Sequence, residues 1–223
     1  MNYTFDFSVI GDYLPVIWTG IQLTVWLILV GAVFGCALGV FCAWARALGP
    51  RWLRPPVVAY IELIRNTPFL IQLFFIFFGL PSVGIKLSGL EASILAMVIN
   101  LGAYSAEIVR AGIEATPRGQ FEAGASLAMS RLQVFRYIVL VPALKRIWPA
   151  LSSQIVIVML GSAVCSQVAA EELTFAANFI QSRSFRAFEV YFVTTGIYLA
   201  LAVALRQILR GLGWYLFDKG RRA

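Results

Sequence analysis

From Tyr13 to Ala45 the sequence contains no charged side chain. The hydrocarbon core of a bilayer is about 30 Å thick and is crossed by about 20 helical residues. Within it every backbone N–H and C=O must be bonded inside the segment, which leaves helix as the conformation of a single span. We therefore read Gly20 to Ala45 as a membrane helix, with Trp18 and Trp44 suited to the two interfaces. Gly31, Gly35 and Gly39 recur every fourth residue and share one helix face. Such a face admits a neighbouring backbone at short range, although glycine is also tolerated in membrane helices without that role.

The rest of the chain is of the same kind. Its 223 residues are 60% hydrophobic and 13% charged, where a soluble domain carries about 25% charged residues. The mean hydropathy is +0.82. No linker-like stretch or internal repeat divides the chain, so residues 1–223 read as one all-α membrane domain. The net charge of +7 comes from basic residues that flank apolar runs. That placement suits membrane lipid rather than nucleic acid. Cys36, Cys42 and Cys165 lie in apolar runs and are odd in number, which argues against a disulfide framework or a zinc site. The absence of histidine excludes His-based catalysis and His-metal chemistry. The first residues are acidic rather than basic, unlike a signal peptide, so the first span is expected to be retained.

Further spans are expected over about 57–80, 90–109, 147–165 and 188–209. The second is interrupted at Thr67-Pro68, where Thr67 suits a helix cap and Pro68 a first helical position. Glu62 and Arg65, three apart, are placed to pair. Cationic residues favour the cytoplasmic side. With the N-terminus outside and five spans, 15 of the 18 Lys and Arg residues fall inside, including Lys219, Arg221 and Arg222 of the tail. Lys86, Arg183 and Arg186 fall outside. The C-terminus is then inside.

The inside loop of about 111–146 is not a linker. Thr116-Pro117 is a helix-start signal, followed by a short helix rich in small residues, with Phe121, Ala125 and Ala128 along one face. Ser130 and Gln133 have the spacing of a capping box. The loop therefore reads as two helices meeting near Met129-Ser130.

Glu122-Ala123, followed at set spacing by Ile138 and Leu140, resembles the EAA motif of ABC-importer permeases. Three positions depart from it: Gly124 replaces the second alanine, Ala128 replaces the motif glycine, and Pro142 stands one residue late. Alanine at 128 disfavours a tight left-handed turn there, and the displaced proline shifts a bend by one residue. Tyr60 to Pro81, Ala103 to Ile113 and Gly20 to Val40 are similar to segments of the polar-amino-acid branch of these permeases, of the histidine, glutamine and arginine type. The likeness runs from about Gly20 to Tyr198.

This resemblance implies a non-catalytic transmembrane permease subunit in a bacterial inner membrane. Its partners would be ABC ATPase subunits, a second permease subunit (itself or a related chain) and an outside amino-acid-binding protein. The coupling helix that docks on the ATPase would contain Gly119, Gln120, Phe121, Glu122, Ala123, Gly124, Ala125, Ala128 and Ser130, with Glu122 meeting a basic group. No Walker A pattern is present, so ATP and Mg belong to the partner and no cofactor or metal is expected on this chain.

Polar side chains within spans are candidates for a substrate path: Gln72, Asn100, Gln154 and Ser162, with Ser166 beside them. Bonding between helices is the competing role. Glu107 and Arg110 read as a structural pair near the inside. Glu171, Glu172, Arg183, Arg186 and Glu189 either meet a binding protein or form a solvated loop face. The alternative function is a self-contained secondary carrier or channel for small polar solutes. Such proteins need a carboxylate at mid-span, and none lies there. An intramembrane enzyme is disfavoured by the lack of HExxH and GxSxG patterns.

Overall fold

The computed structural model describes residues 4–217, so Lys219, Arg221 and Arg222 lie outside the described residues. The described residues form helices joined by short turns and loops, with no strand among them. A single turn, α1 (Ser8–Asp12), leads into α2 (Leu14–Ala47). Pro15 opens α2, where a missing N–H costs nothing. α3 (Arg54–Arg65) and α4 (Phe69–Phe74) form the interrupted second segment. α5 (Gly89–Glu114) follows, then the short α6 (Arg118–Ser126). α7 (Arg131–Gln133) runs through a wide π-type turn, Val134–Val139, into α8 (Leu140–Gly161). α9 (Leu173–Ser184) and α10 (Ala187–Phe217) complete the fold.

Four stretches are long and apolar enough to cross a membrane: Leu14–Ala47, Gly89–Glu114, Val134–Val168 and Ala187–Phe217. A fifth exists if Arg51–Arg65 and Phe69–Val83, bent by 114°, count as one. The helices overrun the expected span limits because apolar length sets a minimum, whereas caps and turns set the ends.

α2 and α5 form the centre of the bundle. A Cβ added at Gly31 would lie 3.5 Å from Met97, one at Gly35 2.9 Å from Leu101, and one at Gly39 2.5 Å from Ser105. The glycine stripe is therefore a contact face. Around it Leu27, Leu73, Met97, Leu101, Leu151 and Met159 form the main core, joining α2, α4, α5 and α8. α5 starts at a capping box that the expected span limit fell two residues short of. Glu91 N–H donates to Ser88 Oγ at 3.3 Å, and Ser88 N–H donates to Glu91 Oε2 at 2.8 Å.

The two Thr-Pro pairs behave alike, and neither threonine caps the helix that follows. Thr67 donates to Leu63 O at 2.8 Å, and Thr116 donates to Gly112 O at 3.4 Å. Each finishes the preceding helix. The prolines, extended at ψ 139° and 138°, occupy the N-cap positions without a side-chain bond. The residue before proline is barred from helical geometry, so it leaves the first helix and its hydroxyl bonds back to an orphan carbonyl.

On the opposite side of the bundle, Glu172 caps α9 by accepting from Phe175 N–H at 2.9 Å. Thr24 Oγ1 on α2 accepts from Leu173 N–H at 3.1 Å. The chain start is tied to α10 by Asp6 N–H donating to Glu189 at 3.0 Å and Arg186 donating to Thr4 O at 2.8 Å.

Candidate functional site

α6 is a short amphipathic piece held by few anchors. Phe121 is half-buried and packs against the apolar cluster that contains Val134, Phe135 and Val139. Gly124 is buried, and a Cβ there would meet Val134 at 2.7 Å and Ile138 at 2.9 Å. Gly119, Gln120, Glu122, Ala123, Ala125, Ala128 and Ser130 are exposed. Of the expected face, Phe121 and Ala125 line one groove, whereas Ala128 lies beyond α6, which ends at Ser126. Phe121 and Gly124 hold the helix, and Ala125 and Ala128 are exposed.

The end of α6 corrects a second expectation. Ala128 sits at φ +55°. Met129 N–H donates to Gly124 O at 3.1 Å and Ala128 N–H to Ala125 O at 3.0 Å. This is the Schellman pattern, so the left-handed turn persists without glycine. Ser130 and Gln133 then form the expected box, with Ser130 N–H donating to Gln133 Oε1 at 2.8 Å and Gln133 N–H donating to Ser130 Oγ at 3.3 Å. The late proline is absorbed by the wide turn over Val134–Val139. Pro142 has no N–H for the carbonyl four residues back, and widening the ladder just before it accommodates the mismatch.

Above α6, at the same end of the bundle, Glu107 gathers three arginines. Arg46 reaches it in a short ion pair, Arg110 at 2.8 Å and Arg65 at 3.9 Å. Arg110 also pairs with Glu114 at 2.5 Å. The expected Glu107–Arg110 pair is present, and the cluster joins α2, α3 and α5. Arg65 goes to Glu107 and stacks on Tyr104, while Glu62 accepts from Asn66 at 3.1 Å. The Glu62–Arg65 expectation is replaced by these contacts, because the bend after Arg65 brings α5 within its reach.

A groove of about 420 Å³ opens between the break and the long helices. Thr67, Pro68 and Phe69 form one wall, Asn100 and Tyr104 of α5 another, and Gln154, Ile157, Val158 and Gly161 of α8 the third. Asn100 and Gln154 are thus brought together. Gln72 stands behind the groove and repairs the break. Its Nε2 donates to Ile64 O at 2.7 Å and to Thr67 O at 3.0 Å, and its Oε1 accepts from Asn100 at 2.9 Å. Ser162 is elsewhere, fully buried and bonded to Met159 O at 2.6 Å, and Ser166 donates to Ala163 O at 2.8 Å. The Ser162 hydroxyl fastens the end of α8, and that of Ser166 the tight turn Ser162–Val168 that follows it. Tyr104, which the sequence reading passed over, is one helical turn from Asn100, and that spacing was its only sequence signal.

Between the last two long helices and at the start of α10, Glu172 and Glu189 are fully buried. Glu172 accepts from Tyr198 Oη at 2.5 Å, and that hydroxyl lies 2.8 Å from Thr174 Oγ1. Burial pushes the Glu172 carboxyl above the ordinary carboxylate range, with the bonds from Tyr198, Thr174 and Phe175 opposing it. Glu189 pairs with Arg186 at 3.5 Å. These two acids are structural, and Glu171 and Arg183 remain on the surface. Among the described residues no group of Cys, Asp and Glu side chains is arranged to hold a metal.

A bundle of long apolar helices, with a polar groove at a broken segment and a short exposed helix between two spans, has the architecture of a membrane permease. The chain belongs to the family of binding-protein-dependent transport system inner membrane components, whose pattern matches residues 35–212. It is 32% identical over 210 residues to the glutamine transport system permease protein GlnP of Escherichia coli (strain K12), covering 93% of this chain and 96% of that one. It is 28% identical over 217 residues to the L-cystine transport system permease protein TcyL of Bacillus subtilis (strain 168), covering 94% and 91%. A solved amino acid ABC transporter, crystallised with histidines, superposes with a TM-score of 0.84 at 34% identity, covering 95% of this chain and 99% of that one. The MetNI methionine ABC transporter shares the fold, with a TM-score of 0.77 at 20% identity, covering 92% and 98%. This chain is therefore a multi-pass membrane component of an ABC transport system.

Proposed function

We propose that the chain is the membrane permease of an importer for polar amino acids, driven by ATP hydrolysis in a separate ATPase subunit. A binding protein would deliver the amino acid outside, and a second permease, this chain again or a related one, would complete the pathway. ATP and Mg would sit on the ATPase. The whole of residues 1–223 forms one transmembrane domain of five spans, with the N-terminus outside and the C-terminus at the cytoplasmic face of a bacterial inner membrane. Residues 57–80 count as the second span despite their bend.

The observation that carries this reading is α6. It is anchored only through Phe121 and Gly124, so most of its surface is free to meet a partner. In this reading α6 couples the ATPase to the bundle, and Glu122, exposed at its centre, accepts from a basic group of the ATPase. Because the Glu107 cluster joins α5, just ahead of α6, to α2 and α3, a push on α6 would reach three helices at once. The groove beside Asn100 and Gln154 is the proposed path, where amide donors and acceptors suit a substrate bearing both ammonium and carboxylate. A self-contained carrier would need a free carboxylate at mid-span, and Glu107 is engaged by arginines near the end of α5.

The test is Glu122→Gln in the assembled transporter. A lost charge-assisted bond weakens ATPase docking by about tenfold or more. Uptake per ATP hydrolysed should fall with it while the chain still inserts and folds. Wild-type coupling and assembly in the variant would refute the role assigned to α6.

A further inference from the structure

A second cavity, of about 510 Å³, lies between α8 and α10 at the end where α6 sits. Its lining is Lys145, Trp148, Pro149, Ser152 and Ser153 of α8 with Arg206, Arg210, Gly213, Trp214 and Phe217 of α10. Lys145, Arg206 and Arg210 face it, and among the described residues no carboxylate lines it. Arg206 and Arg210, one turn apart, are exposed and form no ion pair among the described residues. Lys145 is positioned by donating to Phe217 O at 3.2 Å.

The walls are built rather than incidental. Trp148 lies against Gly213, where an added Cβ would meet the indole at 2.3 Å. Its Nε1 donates to Leu209 O at 2.8 Å, and its ring meets Phe217 edge-on at 5.5 Å. Ser152 Oγ is buried with no hydrogen-bond partner among the described residues, which leaves a donor for a bound group. Trp214, half-exposed at 53%, is of the residue type that sits at headgroup level.

We propose that this cavity binds the phosphate of an anionic phospholipid headgroup. Arg206 and Arg210 neutralise the phosphate, Ser152 and Ser153 donate to its oxygens, and the two indoles border the glycerol and the first acyl carbons. Basic pockets between membrane helices take such headgroups, and the volume falls in the range of small-ligand sites. A second copy of the chain is a poor occupant. A two-fold contact centred here would set Arg206 and Arg210 against their own counterparts. The inference requires only that the chain spans a bilayer. It is independent of the ATPase, the substrate and the orientation.

The test uses the full-length chain in detergent, with native mass spectrometry reading the lipid-bound fraction. The probes are phosphatidylglycerol, phosphatidylcholine and inorganic phosphate. Two arginines at a membrane surface favour an anionic lipid by about 30-fold. Wild type should therefore prefer phosphatidylglycerol over phosphatidylcholine by about that factor, and millimolar phosphate should not displace it. Arg206→Gln with Arg210→Gln should bring the preference close to parity. Ser153→Trp, which fills the cavity and keeps both arginines, should also lower it. A preference that survives in the double variant overturns the proposal. So does one that survives in Ser153→Trp, which would mean diffuse surface charge, or displacement by phosphate alone, which would mean a soluble-anion site.

Discussion

Ala128 holds a left-handed backbone with an ordinary side chain. Its two Schellman bonds and the box at Ser130 and Gln133 over-determine the turn. The Cβ still clashes in that conformation, at about 1–2 kcal/mol for an L-residue. Ala128→Gly should therefore stabilise the folded protein by about 1 kcal/mol, read as a higher midpoint of thermal unfolding in detergent. An unchanged or lower midpoint would mean that the surroundings have relaxed the strain. The neighbouring Gly124 makes the opposite argument. It is set by contact with Val134 and Ile138 rather than by dihedral angle, and the sequence alone does not distinguish the two reasons for a small residue.

The glycine face of α2 shows how much of an element can be read from spacing. Period four identified the face, and the partner helix and the distances came from packing. Gly39 has the tightest approach, 2.5 Å to Ser105 Cβ and 3.0 Å to the backbone of Ala106, whereas Gly31 has 3.5 Å to Met97. Backbone cannot move aside as a flexible side chain does. Gly39→Ala should thus destabilise by about 1–3 kcal/mol, the usual cost of overpacking, while Gly31→Ala should be nearly neutral. Thermal unfolding of the two variants in parallel checks the order, and equal effects would contradict the packing described. The break between α3 and α4 was visible as Thr67-Pro68, but its repair was not. Gln72 is four residues beyond Pro68, and only the fold brings its amide onto Ile64 O and Thr67 O.

Across the whole molecule, the two ends of the bundle are closed by different chemistry. At the α6 end, Glu107 and its arginines tie α2, α3 and α5. At the other end, the buried carboxyl of Glu172 joins α9 to α10 through Tyr198. Burial raises that carboxyl above its unfolded value, so the folded state holds the proton more tightly. Its contribution to stability is complete below the unfolded pKa and is lost as pH rises through the folded one. The wild-type midpoint should therefore rise as pH falls from neutral into the mildly acidic range, relative to Glu172→Gln, which lacks the titration. A wild-type-minus-variant difference that stays flat with pH would rule out this account.

Local chemistry determined much of this protein from the sequence alone. The apolar runs dictated helices, charge marked the α6 end as basic, and the Ser130–Gln133 box set a helix start, because each rests on residues within a few positions of one another. The tertiary structure decided what depends on distant partners. It turned the second segment through 114°, sent Arg65 to Glu107 instead of Glu62, and buried Glu172 and Glu189 where the chain reads like a polar loop. It also gathered Lys145, Arg206 and Arg210 around one cavity. Hydropathy and spacing report which side chains leave water, whereas the partner that each meets is set by how the helices pack.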